Sequence, residues 1–294
     1  VSAEADEVTG FWRELGLPGI IDVHTHFMPK RVMDKVWDYF DSAGPLLGRA
    51  WPIEYRADEQ TRLDQLRAFG VRAFTSLVYP HKPDMAAWLN EWAADFASRT
   101  PDCLHTATFY PEEFVDSYVD QAIQSGAQIF KAHIQVGDYH PNDPLLHPVW
   151  GMLEDSGIPT VIHCGSGPAP GTYTGPGPVR EVLLRYPRLP LIVAHMGMPE
   201  YSEFLDLAEE FDGISLDTTM AFTDFTEEKT PFPRSELPRL RALGDRIVFG
   251  SDFPNIPHRY LHALESLTRL DLGDDWLRGV LYNNARARVL PRQG

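Results

Sequence analysis

GIIDVHTH, residues 19–26, is an apolar run that ends in two histidines one residue apart. Its apolar part reads as a strand covered on both faces, because a strand with one wet face alternates polar and apolar residues instead. Similar runs recur as PLIVA at 190–194 and RIVFG at 246–250. In all, eight candidate strands are legible, at 19–25, 71–79, 103–109, 127–134, 158–164, 189–196, 214–218 and 246–251. Amphipathic helical patterns lie between them at 58–69, 85–99, 111–125, 145–156, 179–185, 199–211 and 234–243. Three more follow the eighth strand, at 257–270, 274–280 and 283–290. Strand–helix alternation argues for parallel strands joined by helical crossovers. Eight repeats predict an α/β fold of the (β/α)8 TIM-barrel type, with functional residues at the C-terminal ends of the strands. The expectation is one barrel domain over residues 1–294, with 1–18 as an N-terminal extension, since no linker or low-complexity stretch divides the chain.

Composition agrees with a globular protein. Apolar residues make up 43% of the 294 residues and charged residues 23%. The formal charge is 26 − 42 = −16, which opposes nucleic acid and anionic membrane as partners. It does not exclude an anionic small-molecule substrate, such as one that bears a carboxylate, because one local Lys or Arg can dominate inside a pocket. No run of about 18 apolar residues marks a membrane span. The opening VSAEADEVTGFW lacks the charged and apolar regions of a signal peptide, so a cytoplasmic location is expected. Cys103 and Cys164 form no disulfide framework.

The chemistry lies at the strand ends. His24 and His26 share a face by the i, i+2 rule, and two neutral imidazoles so spaced can bind one divalent cation. A lone His-x-His is weak evidence. It gains weight because His163 ends the fifth predicted strand, His195 the sixth and Asp252 the eighth. Each is a polar residue capping an apolar run. Taken singly, each also reads as a hydrogen-bonded core histidine or a turn aspartate.

The succession DVHTH (22–26), IFKAH (129–133), VIHCG (161–165), VAHMG (193–197), FGSDFPN (249–255) and NNARARVL (283–290) resembles the amidohydrolase superfamily. Within it, the chain is similar to the branch that includes aminocarboxymuconate-semialdehyde decarboxylase and pyrone-dicarboxylate lactonase. The resemblance implies a metal held by His24, His26, His163 and Asp252. It gives Asp252 the proton of the attacking water, and it places His195 beside the metal as a second catalytic group. It implies one divalent ion, Zn²⁺ first, with Mn²⁺, Fe²⁺ and Co²⁺ also suited to such ligands. Lys131 holds the position where two-metal relatives carry a carboxylated lysine. Here it reads first as a contact for a substrate carboxylate, then as a bridge to a second metal or a structural ion pair.

Other substrate contacts are expected at His133, which shares the face of Lys131, at Trp51 in the long first loop, and at Tyr173 and Arg180 after the fifth strand. The apparatus predicts hydrolysis of an amide, lactone or ester. The alternatives are non-oxidative decarboxylation of an unsaturated or aromatic acid, and a binding barrel without catalysis. The resemblance also admits a homodimer.

Overall fold

Eight parallel strands form the inner wall of the protein in the computed structural model, which describes residues 3–290. They are β1 (Ile20–Asp22), β2 (Val71–Thr75), β3 (Cys103–Leu104 and Thr106–Thr108), β4 (Ile129–His133), β5 (Thr160–His163), β6 (Leu191–Val193), β7 (Ile214–Asp217) and β8 (Ile247–Val248). The third strand is interrupted at His105. Its first part pairs with β2 and its second with β4, so strand order follows chain order throughout. Closure comes from β1 meeting the end of β8. Val23 N donates to Phe249 O at 3.0 Å, and Thr25 bridges Phe253 in parallel. The chain is therefore the predicted (β/α)8 barrel.

Alternation along the strands sorts the side chains. In β4, Phe130 and Ala132 pack outward under the helices, while Ile129 joins an inner cluster with Ile21, Val161, Ile192 and Val248. Lys131 and His133 follow Ile129 on the inner face. The inner cluster fills the lower barrel and leaves the polar residues stacked above it.

The strands are shorter than the sequence predicts because the chain turns at the level of the site. The sixth expected strand runs to residue 196. It ends at Val193, and His195 and Met196 take left-handed backbone with φ of +56° each. Asp252 likewise has φ +74°, a region that aspartate tolerates better than most residues. A β-carbon on Gly250 would lie 2.6 Å from His24 Cβ and would run into Thr219 Oγ1. The glycine lets β8 approach β1 this closely.

Two helices lie where the sequence reading had placed only an extension and a loop. Ala3–Glu14 buries Ala5, Val8 and Trp12, and the Trp12 indole donates to Phe69 O at 3.0 Å. Lys30–Ser42 occupies the first βα loop. Its signal was the i, i+4 spacing of Val32, Val36 and Phe40 beside Met33 and Trp37, a 3.6-residue period outside the barrel repeat. Met33 packs against Val78, Met85 and Leu89. Trp88 and Trp92, four apart on helix Ala86–Ser98, do not share a buried face. Trp92 stacks on Phe96, whereas Trp88 is 40% exposed. Among the described residues, no helix is long and apolar enough to cross a membrane.

Candidate metal centre

His24, His26 and Asp252 form a compact, buried group whose ligand atoms lie within 4.8 Å of one another. His26 Nε2 is 2.9 Å from Asp252 Oδ1, and His24 Nε2 is 3.7 Å from the same oxygen. Ligand bonds of about 2.0–2.2 Å around one ion separate neighbouring donors by about 3.0–3.6 Å. The spacing therefore fits a single divalent cation.

The outer nitrogen of each ring fixes its tautomer. His26 Nδ1 lies 2.8 Å from Leu77 O, a carbonyl that can only accept, so Nδ1 carries the proton. His24 Nδ1 lies 2.8 Å from Asp217 Oδ2, and Asp217 Oδ1 accepts from the backbone nitrogens of His195 and Thr219. The neutral rings thus turn their Nε2 lone pairs toward a carboxylate oxygen. Three lone-pair donors converge only if a cation, either a proton or a metal ion, stands among them. Burial alone would raise the Asp252 carboxyl, but a proton shared with His26 Nε2, together with the surrounding imidazoles, holds it well below the usual carboxylate range. Burial, followed by the charge of Lys131, pushes His24 well below the usual imidazole value. Both groups are therefore in the ligating form at neutral pH.

The other strand-end residues join the same cavity, of about 770 Å³. His163 stands outside the compact trio. Its Nε2 donates to Gly167 O at 2.9 Å, which leaves the Nδ1 lone pair free. His195 Nδ1 donates to Thr219 O at 3.1 Å, so its free Nε2 is an acceptor. The rings of His24 and His163 lie 5.0 Å and 4.7 Å from that of His195. His133 is the exception. Its Nδ1 accepts from Val136 N, so its Nε2 carries the proton and can donate. It stacks on His163 with centroids 4.1 Å apart. Burial lowers the basicity of His133, His163 and His195 alike. Lys131 is fully buried, and its Nζ has no hydrogen-bond partner. Burial brings its ammonium down to about 8 against the pull of Asp217 and Asp252.

Trp51 lines the cavity and donates to Asn255 O at 2.7 Å. Tyr173 and Arg180 do not reach it, a correction to the sequence reading. Tyr173 packs on His140 with centroids 5.4 Å apart. Arg180 lies on helix Pro176–Arg185, which starts three residues earlier than predicted and carries the guanidinium outward to Glu210.

Three residues escaped the sequence reading, the buried Asp217 and Asp22 and the partly buried Tyr79. Asp217 orients His24. Asp22 accepts from His24 N, Ser251 N and the Tyr260 hydroxyl at 2.9–3.2 Å, tying β1 to the turn before Asp252. Burial raises the Asp22 carboxyl to about 7. Tyr79 sets its ring 5.7 Å from His26 and 4.8 Å from His133. Asp217 and Asp22 end or interrupt apolar runs as the ligands do, which was the available signal. Partners that orient a metal-bound histidine typically contribute 10–100-fold in metal affinity. Asp217→Asn is accordingly expected to weaken metal binding by that factor, measured by competition with a chromophoric chelator.

The sequence profile of the amidohydrolase family matches residues 21–291. No curated protein sequence matches the chain. Among solved structures, an uncharacterized TIM-barrel protein from Bordetella bronchiseptica is similar, with 20% identity, a TM-score of 0.74 and coverage of 92% of this chain and 97% of that one. A 5-carboxyvanillate decarboxylase from Novosphingobium aromaticivorans, complexed with manganese and 4-hydroxy-3-methoxy-5-nitrobenzoic acid, is 13% identical, with a TM-score of 0.66 over 93% and 97%. A probable 2-pyrone-4,6-dicarboxylic acid hydrolase from Acinetobacter baumannii, with citric acid bound, is 13% identical, with a TM-score of 0.59 over 92% and 99%. At these identities the likeness concerns the barrel itself. With the profile spanning almost the whole chain, this protein belongs to the amidohydrolase family.

Proposed function

We propose that the chain is a metal-dependent hydrolase that cleaves a C–N or C–O bond of an amide, lactone or ester. The observation that carries this reading is the convergence of the His24 and His26 lone pairs on Asp252, each ring locked from behind. His163, whose Nδ1 lone pair is left free by the hydrogen bond from Nε2 to Gly167 O, would be the further ligand. His24, His26 and Asp252 would hold a divalent ion, which would supply Lewis acidity and lower the pKa of a water toward about 7. Asp252 then accepts the proton of the attacking water and returns it to the leaving group. The free Nε2 of His195 orients that water. The Nε2–H of His133 donates to the oxygen on which negative charge develops, and Lys131 binds a carboxylate of the substrate.

A second reading is supported by Lys131 and by the fold likeness to a manganese-bound decarboxylase. The same floor would hold an unsaturated acid while a buried acid protonates carbon. Incorporation of ¹⁸O from labelled water into product, without CO₂ release, marks hydrolysis. CO₂ release without ¹⁸O marks decarboxylation.

Metal content per chain tests the common premise. About one equivalent of zinc, manganese, iron or cobalt is expected. Two equivalents would assign Lys131 to a carboxylated bridge. None, after metal has been supplied, overturns the proposal and favours a binding barrel.

A further inference from the structure

The cavity is far larger than its reactive floor. Its upper wall comes largely from two helices that pack against each other through Met33, Met85 and Leu89. Val32, Val36, Tyr39 and Phe40 stand on helix Lys30–Ser42, and Met85 and Trp88 stand at the start of helix Ala86–Ser98. Nearer the floor, Met198 and Met220 offer soft, adaptable surface. The rim is apolar although it is wet: Tyr39 is 45%, Trp88 40% and Val136 37% exposed. Side chains of this kind, left facing solvent around a concave site, mark a surface that a ligand covers.

The charges on the wall are one-sided. Besides Asp252 on the floor, the charged side chains that line the cavity are Lys131, Arg31 and Lys35, all cations. This occurs in a chain of net charge −16. Lys131 is buried without a hydrogen-bond partner, whereas Arg31 and Lys35 lie on the solvent side of the 30–42 helix.

We infer that this site takes an amphipathic anion: a compact oxygen-rich head against Lys131 and the histidines, and a long apolar arm that runs out along the wall shared by the 30–42 and 86–98 helices. This rests on the proposed function in taking the His–Asp floor as the reacting end. A small polar acid would leave the upper walls wet and the aromatic rim without a role. An uncharged apolar compound would leave Lys131 unmatched. The 30–42 helix is thus the specificity element, and arm length is what it measures.

The ω-phenylalkanoates from phenylacetate to 8-phenyloctanoate are suitable probes, titrated calorimetrically into the protein as isolated and after chelator treatment. Affinity is expected to tighten about two- to fourfold per methylene and to level off once the arm passes the rim. Val36→Asp and Trp88→Ala, both at the partly wet mouth, are expected to flatten that dependence while leaving phenylacetate binding within twofold. Lys131→Met is expected to weaken every member by a similar factor and to keep the slope. Affinity that does not change with arm length, or a slope that survives both mouth substitutions, overturns the inference. The two proposals fail separately. A protein without metal or turnover can still show the slope, and an active metalloenzyme with a flat series refutes only the arm.

Discussion

His24→Ala and Asp252→Ala are each expected to lower turnover by roughly 10²- to 10⁴-fold, the range lost when a positioned acid–base group is removed, and to strip the metal from a chain that still folds. The two variants should differ in stability. In His24→Ala, Asp217 Oδ2 loses its imidazole donor in a fully buried setting, and an unsatisfied buried acceptor costs about 1–3 kcal/mol. In Asp252→Ala, the lost group is the anion that faces His24, His26, His195 and Lys131. That change also puts alanine at φ +74°, where aspartate and asparagine are better tolerated. Asp252→Asn keeps the backbone preference and the volume, so it separates the two effects: it should unfold later than Asp252→Ala and be equally inactive. Elemental mass spectrometry, circular dichroism melts and turnover on the same preparations give the three readouts. Full activity in either alanine variant would refute the assignment of the site.

The barrel was legible because its physics is local. Eight strand runs, several of them apolar on both faces, alternate with helical periods and leave little choice of architecture, and the ligand candidates announce themselves as single polar residues at the ends of those runs. What could not be read depends on partners distant in sequence. Asp217 matters because His24, 193 positions earlier, points at it; its place at the end of the short run ISL was the one local signal, and that position does not say which residue it orients. The tautomers that separate the donor His133 from the acceptor His195 are set by Val136 N and Thr219 O, neither of which has a sequence signature. Tyr173 and Arg180 were drawn to the site by nearness in sequence to His163. The loop after β5 instead carries them outward, to His140 and to Glu210. Helix Lys30–Ser42 had a clear 3.6-residue stripe, but that stripe fell where a barrel needs only a loop.

The acidic chain and its cationic cavity also bear on the rest of the site. A metal ion would add two positive charges to a floor that already holds Lys131, and the carboxylates of Asp252 and, behind His24, Asp217 supply at most two negative charges against those three. Such a site is short of negative charge until substrate arrives. Binding an anion there relieves repulsion within the protein, so affinity for carboxylates should fall as ionic strength rises at the outer cations and far less at Lys131, which bulk salt screens poorly.

Lys131→Met is expected to stabilise the protein by about 1–3 kcal/mol at pH 7 while lowering kcat/KM for a carboxylate-bearing substrate roughly 10- to 100-fold. The ammonium is fully buried, unpartnered and brought down from 10.5 to about 8, chiefly by burial. A lysine whose folded value is depressed destabilises the fold wherever the unfolded chain would hold the proton more tightly. Here that penalty is present in full below pH 8, at about 3 kcal/mol. Between about 8 and 10.5 the unfolded state binds more protons than the folded one, so wild-type stability gains with pH from this group and the penalty is gone above 10.5. Methionine has similar length and no charge. Its advantage over lysine should therefore be largest at pH 7 and shrink steadily toward pH 10, which urea denaturation of both proteins at several pH values measures directly. If Lys131 instead carries a carboxylate bridging two metals, the same substitution removes one metal equivalent and destabilises the protein, so the sign of the change separates the two roles. A variant that is less stable, retains its metal and keeps its activity would show the ammonium to be a structural cation and would remove it from the substrate site.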